Sequence, residues 1–251
     1  MSKMTDRIST SVAADQARNH YEVEQRSKLP SIIVPLSSEG KIYPKDHVLR
    51  EGTIEMRYMT AYDEDILTNQ SYIREGVMLD KLIESISLTK YNISDMSTFD
   101  KDGLIIYARI LSYGAEYPVT VKDPDSGNSL DRVVNLEKIQ SKPFNLIADE
   151  FGEFSFEAGD TTIKFIYNVN NISDLPPSKF SKAVITQVGD SRTSETIDHF
   201  IRYKFMAKDA KRFRSYYADN TPGLDMTFEF EGENGGTFRS GFQLNSDFFW
   251  F

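Results

Sequence analysis

The chain's three histidines, His20, His47 and His199, lie far apart and show no metal-ligand spacing. There is no cysteine, which removes disulfides, thiolate-ligated zinc, iron–sulfur centres and thiol nucleophiles. The acidic run Asp63-Glu64-Asp65 has the composition of a catalytic or metal cluster. Acids in a first helical turn are favoured by the helix dipole, however, and Thr60 with Asp63 three positions on fits a loose capping box, so capping is the preferred reading. Asp123-Pro-Asp-Ser-Gly127 opens like a calcium loop, but its glycine comes fifth rather than sixth, and Val134 stands where a bidentate glutamate is required. It reads as a hairpin turn. No phosphate-cradling GxxxxGK[ST], dinucleotide GxGxxG or GxSxG elbow occurs. Asn92-Ile-Ser94 and Asn171-Ile-Ser173 match the glycosylation sequon, which has no meaning without secretion. With 38 acidic residues some carboxylate pairs arise by chance, so an enzyme has no positive support in the sequence, and no cofactor or metal is expected.

Two stretches suit binding instead of catalysis. Arg202, Lys204, Lys208, Lys211, Arg212 and Arg214 are interleaved with Phe205, Phe213, Tyr216 and Tyr217. Cations beside stacking aromatics would serve a single-strand nucleic-acid binder. Helical spacing offers a plainer account: Lys204, Lys208, Lys211 and Arg212 form a solvated face and Phe213 with Tyr217 a buried one, and the same charges would steer an acidic protein partner. The second stretch is Phe248-Phe249-Trp250-Phe251. Each ring can bury on the order of 150–250 Å², so the four must be covered, either by closing their own core or by entering another subunit.

The elements that position these residues follow from composition and period. The chain has 251 residues, 39% hydrophobic and 27% charged, an ordinary globular balance. Its net charge of -9 sets it against nucleic acid and anionic membrane except through a local patch. Residues 1–29 read as a flexible arm, with a helix over Val12 to Gln25 forming only on a partner. That start lacks the apolar core of a secretory signal, and no stretch approaches the ~20 apolar residues of a membrane span. A soluble protein, intracellular where it is made, is therefore expected.

Thr53 to Met59 alternates as a half-buried strand with Ile54, Met56 and Tyr58 inward. Helices are predicted over 61–69, 76–87 and 97–112, the last with Gly114 as a left-handed cap, and a hairpin over 117–136. Further strands cover 153–157 and 161–169, and a helix spans 179–188. A strand at 201–206, a helix at 207–217 and a hairpin at 226–244 resemble a shortened copy of the earlier strand–helix–hairpin plan. The expected class is α+β, short helices with β-hairpins, divided into the arm 1–29, a main domain 30–195 and a C-terminal unit 196–251.

Ser31-Ile-Ile-Val-Pro-Leu-Ser-Ser-Glu-Gly-Lys-Ile-Tyr-Pro44, Met59-Thr-Ala-Tyr-Asp-Glu-Asp-Ile-Leu-Thr68 with Ile73-Arg-Glu-Gly76, Tyr113-Gly-Ala-Glu-Tyr117 and Phe248-Phe-Trp250 together resemble the baseplate proteins of T-even-type contractile-tailed bacteriophages. The block from Met59 to Thr68 is the most specific. The resemblance implies a non-catalytic hub subunit or hub assembly factor whose partners are other tail baseplate or hub proteins. Its place would be the host cytoplasm during assembly or the virion tail. It also implies two hairpins that in relatives carry cysteine pairs resembling small zinc ribbons; here the turns read Val121-Lys-Asp-Pro-Asp-Ser-Gly127 and Phe230-Glu-Gly-Glu-Asn-Gly-Gly236, without a cysteine. The alternatives are a nucleic-acid-binding module using 202–214 and, behind it, an enzyme.

Overall fold

The computed structural model describes residues 28–242, 244 and 246–250. The expected arm and its helix over 12–25 lie outside the described residues, apart from the short lead-in to the first strand. Chain order begins with β1 (Ser31–Pro35), which pairs antiparallel with β2 (Thr53–Arg57), Val34 opposite Ile54. Three helices follow: α1 (Ala61–Leu67), α2 (Gln70–Glu75) and α3 (Met78–Ile86). The chain then returns along β2, where Leu88 N–H donates to the Glu55 carbonyl. The long helix α4 (Thr98–Tyr113) starts at Ser97, whose hydroxyl accepts from the Asp100 N–H as an N-cap.

The hairpin of β3 (Glu116–Lys122) and β4 (Ser129–Asn135) leads to β5 (Gln140–Ser141). A three-stranded antiparallel sheet joins β6 (Phe154–Ala158), β7 (Thr161–Phe165) and β8 (Ile185–Val188) in sequential order, with α5 (Pro177–Val184) between the last two strands. Then come α6 (Ser194–Tyr203), α7 (Ala207–Asp219), β9 (Leu224–Asp225) and the hairpin of β10 (Thr227–Glu231) with β11 (Thr237–Gly241). The architecture is α+β.

Because β5 pairs with β9, residues 142–223 leave and return at one place. That excursion holds its own aromatic core: Phe144, Phe154, Phe165 and Tyr167 pack edge-on or tilted, and Phe156 of β6 with Phe213 and Tyr217 of the facing helix α7 complete it. The expected boundary at 195/196 falls within the first turn of α6, inside this excursion. A second aromatic group, Tyr113, Tyr117, Phe242, Phe248 and Phe249, closes the other end of α4.

Four local expectations are corrected. Residues 201–206 are not a strand: α6 runs through Tyr203, because Ile197, Phe200 and Ile201 form a helical stripe that starts upstream of the apparent alternation. The strand of the second strand–helix–hairpin copy is therefore missing. The helix expected over 179–188 stops at Val184, and β-branched Ile185-Thr186 with Val188 joins β7 as an edge strand. On β2 it is Arg57 that is buried and Tyr58 that is exposed, since the strand ends in an ion pair instead of continuing its alternation. Gly114 has a positive φ of 88° but a ψ of 171°, so α4 ends in an extended turn outside the left-handed helical region. Gly103, within α4, serves packing: a Cβ there would sit 2.5 Å from the Ser37 hydroxyl.

Candidate protein-interaction surface

The α6–α7 corner is built from the inside outward. Phe205 N–H donates to the Phe200 carbonyl at 2.8 Å and the two rings stack at 5.0 Å, which turns the chain between the helices. Phe213 and Tyr217, four apart on α7, are buried in the aromatic core. The opposite face is wet. Lys204, Lys208 and Lys211 are exposed, and none forms an ion pair among the described residues, unlike Lys81 with Glu84 or Lys182 with Asp198 at 2.7 Å. Tyr203 and Met206 project from the same corner with 64% and 63% of their surface exposed.

Arg212 parts company with the lysines. Its guanidinium donates to the Glu157 carbonyl, lies 5.1 Å from the Phe156 ring and approaches Asp209 at 3.4 Å. It is turned toward its own sheet, so the solvated face is carried by Lys204, Lys208 and Lys211. None of the four interleaved aromatics faces solvent, Phe213 and Tyr217 being buried and Phe205 and Tyr216 half-buried; the exposed ring at this corner is Tyr203, with Arg202 5.9 Å from its centre.

The C-terminal aromatics are divided. Phe248 and Phe249, in a short 3-10 turn (Ser246–Phe249), are buried: Phe248 stacks on Phe242 at 5.9 Å and tilts on Tyr117 at 4.9 Å, and Phe249 meets Tyr113 edge-on. Trp250 keeps 39% of its surface exposed, and Phe251 lies outside the described residues.

The residues that suggested chemistry serve structure. Asp63 accepts a bidentate pair of bonds from Arg57 at 2.7 and 2.8 Å, one from the Ser85 hydroxyl at 2.6 Å and one from the Thr60 N–H at 2.7 Å. The last is the reach-back bond of the expected capping box. Burial by itself raises the Asp63 pKa, but the Arg57, Ser85 and Thr60 bonds outweigh it and bring it to about 2. The His47 ring accepts from Leu49 N–H at 3.2 Å and stacks on Tyr43; His199 is exposed against Tyr203; His20 lies outside the described residues. Among the described residues no three His, Cys, Asp or Glu gather as a metal set.

Sequence reasoning missed two buried polar centres. Asp100 accepts from Ser38 N–H and its hydroxyl, both at 2.8 Å, from Tyr43 at 2.5 Å and from Ser97 at 3.0 Å, and burial pushes its carboxyl up. Asp123 is the other. Its Oδ1 accepts from Asp125 N–H at 2.8 Å within its own turn, and its Oδ2 accepts from Glu233 N–H at 2.9 Å in the β10–β11 turn. Asn128 bonds the Glu233 side chain and Arg132 the Glu231 carbonyl, so the two hairpin tips face one another. The aspartate signals a turn in sequence, but nothing local announces its distant partner. These tips do not fit the zinc that the resemblance implies: their side chains offer hard carboxylate and amide oxygens without thiolate or imidazole, and Asp123 is already occupied by backbone N–H groups.

No helix among the described residues is long and apolar enough to cross a membrane. Neither the curated proteins nor the solved structures include a match to this chain. A family model described as T4 bacteriophage base plate protein matches residues 31–237, from β1 to the start of β11. That span contains both hairpins, the aromatic excursion and the basic corner, and on it the chain belongs to the T4 bacteriophage base plate protein family.

Proposed function

We propose that this baseplate protein is a hub subunit or a hub assembly factor that acts without catalysis, by holding or ordering other tail proteins. The observation that carries this reading is the α6–α7 corner, where Lys204, Lys208 and Lys211 stand without ion-pair partners among the described residues beside exposed Tyr203 and Met206. Unpaired cations speed encounter with an acidic surface, and an exposed aromatic and methionine supply apolar contact once docked. In a molecule of net charge -9 such a corner favours an acidic protein over the chain's general surroundings.

The test has two parts. Mass spectrometry of purified particles beside a pull-down from infected cells separates a permanent component, present in both, from an assembly factor, present only in the pull-down. The triple change Lys204→Glu, Lys208→Glu, Lys211→Glu is expected to abolish recovery of tail proteins while leaving the melting temperature within a few degrees. Unchanged recovery sinks the assignment of the surface. Salt-sensitive binding of single-stranded DNA by the unmodified chain, lost in the triple variant, would favour the nucleic-acid reading instead.

A further inference from the structure

The tip of the β10–β11 hairpin holds a reactive dipeptide. Of the asparagines in the sequence, Asn234 alone is followed by glycine. Both residues are exposed, in the turn between the two strands. Gly235 has a φ of 78°, and a Cβ placed there would meet nothing within 4 Å. Space is therefore open around the peptide nitrogen that closes a five-membered ring with the Asn234 side chain. No hydrogen bond to a described residue restrains the Asn234 amide. Asparagine in such a setting is chemically labile.

The closed tip opposes that ring closure. Gly235 N–H donates to the Gly232 carbonyl at 3.1 Å, and Gly232 N–H donates to the Gly236 carbonyl at 2.8 Å. The turn is also clamped from the facing hairpin: Asp123 Oδ2 accepts the Glu233 N–H at 2.9 Å, and the Asn128 amide donates to the Glu233 carboxylate at 2.8 Å. The approach is close, since a Cβ on Gly232 would stand 2.9 Å from Asp123 Oδ2. While these contacts hold, the Gly235 nitrogen is spent on its own turn, and it becomes free only when the tip opens.

We propose that Asn234 is a self-modification site, its deamidation held in check by the Asp123–Glu233 bond and, once complete, uncoupling the two hairpins. In the opened tip the Gly235 nitrogen gives up its proton and bonds to Cγ of Asn234. The Cγ–Nδ2 bond breaks, and the side-chain nitrogen takes the proton and leaves as ammonia. Water then opens the cyclic imide. Cleavage between the Gly235 nitrogen and Cγ yields aspartate on the normal backbone; cleavage between that nitrogen and the Asn234 backbone carbonyl carbon yields isoaspartate. One water is consumed and one ammonia released, with no oxidation or reduction. Either product adds a negative charge to tips that already carry Asp123, Asp125, Glu231 and Glu233, and isoaspartate also inserts a methylene into the turn backbone. Like charge and a lengthened turn both oppose re-forming the Glu233 bond to Asp123. None of the residues on which the partner reading rests takes part.

Full-length chain held at pH 8, then digested for mass spectrometry, reads the amide-to-acid conversion peptide by peptide. Asn234 should convert faster than Asn128, which sits in the facing tip and is followed by serine. Asp123→Ala should raise the Asn234 rate about tenfold, the worth of one hydrogen bond to a charged group, toward the rate of the unmodified chain unfolded in urea. Converted chain, separated from fresh chain by its extra charge on an anion-exchange column, should exchange the Glu233 amide faster while the amides of β6–β8 keep their protection. Conversion no faster at Asn234 than at Asn128 overturns the site. Equal rates in the folded and the urea-unfolded chain overturn the check, whether or not the Asp123 variant folds, and so does an unchanged rate in that variant when its β6–β8 amides stay protected. Undiminished protection of Glu233 in the converted chain overturns the uncoupling.

Discussion

Asp123 Oδ2 accepts the Glu233 N–H at 2.9 Å across 110 positions of sequence, and this bond joins the tips of two hairpins. The Glu233 N–H foremost, then the Asp125 N–H, hold the Asp123 carboxyl below the usual carboxylate range. Asp123→Ala should therefore speed amide exchange at Glu233 and Asp125 together, while the amides of β6–β8 keep their protection. Because the pKa is lowered in the folded chain, the contribution is present above the ordinary carboxylate range and lost as pH falls through the depressed value. Acid should loosen the tips in the unmodified protein and have no further effect on them in the variant.

Asp63 and Arg57 form a buried bidentate pair, with Ser85 bridging to α3. Asp63→Ala strands the guanidinium and should cost about 3–5 kcal/mol in urea unfolding, whereas Arg57→Met with Asp63→Leu should recover most of that loss. A double variant no better than the single one would contradict this account.

Two other carboxylates give opposite pH signatures. With its pKa lowered from 3.8 to about 2, Asp63 contributes about 2.5 kcal/mol above pH 4, lost as pH falls through 2. Burial, partly offset by Lys101, raises Asp102 to about 6, so its folded form favours the proton and its stabilising effect fades as pH rises from 4 through 6. Asp102→Asn should stabilise the chain by about 1–3 kcal/mol at pH 8 and change little at pH 4, read from paired melting curves.

The C-terminal rings should separate by substitution. Phe248→Ala empties a site shared by Tyr117, Phe242 and Phe249 and should cost about 3–5 kcal/mol. Trp250→Ala should remain within about 0.5 kcal/mol, as for an exposed residue. Chemical denaturation of both variants provides the comparison.

Arg212 and Lys211 are neighbours with different duties. Arg212→Ala loses the Phe156 ring contact and the bond to Glu157 and should destabilise by about 1 kcal/mol; Lys211→Ala should leave stability unchanged.

Elements with a sustained period were legible in advance. The stripe Leu79, Leu82, Ile83, Ile86 gave α3, and the alternation of Tyr117, Val119 and Val121 gave β3. Failure came where a short segment satisfied two periods at once: Ile201, Tyr203 and Phe205 alternate, yet Ile197 and Phe200 had already committed the backbone to helix. Buried polar centres were illegible for another reason. The ligands of Asp100 come from Ser38, Tyr43 and Ser97, and those of Asp123 from two turns, so each is defined by the fold and by no local pattern. At the candidate surface, sequence supplied the lysines but could not show that the exposed Arg212 folds back over its own sheet, because that depends on the placement of Phe156 in a strand.

The pairing of Gln140 with Asp225 and of Ser141 with Leu224, extended by the Lys142 N–H on the Gly223 carbonyl at 2.8 Å, also decides how the molecule bears tension. Beside the bonds between the hairpin tips, these backbone bonds from β5 to β9 give a pull between the two hairpins a path that is shorter than the 142–223 excursion. If that short junction parts, the length of chain released between the two hairpins is the excursion itself.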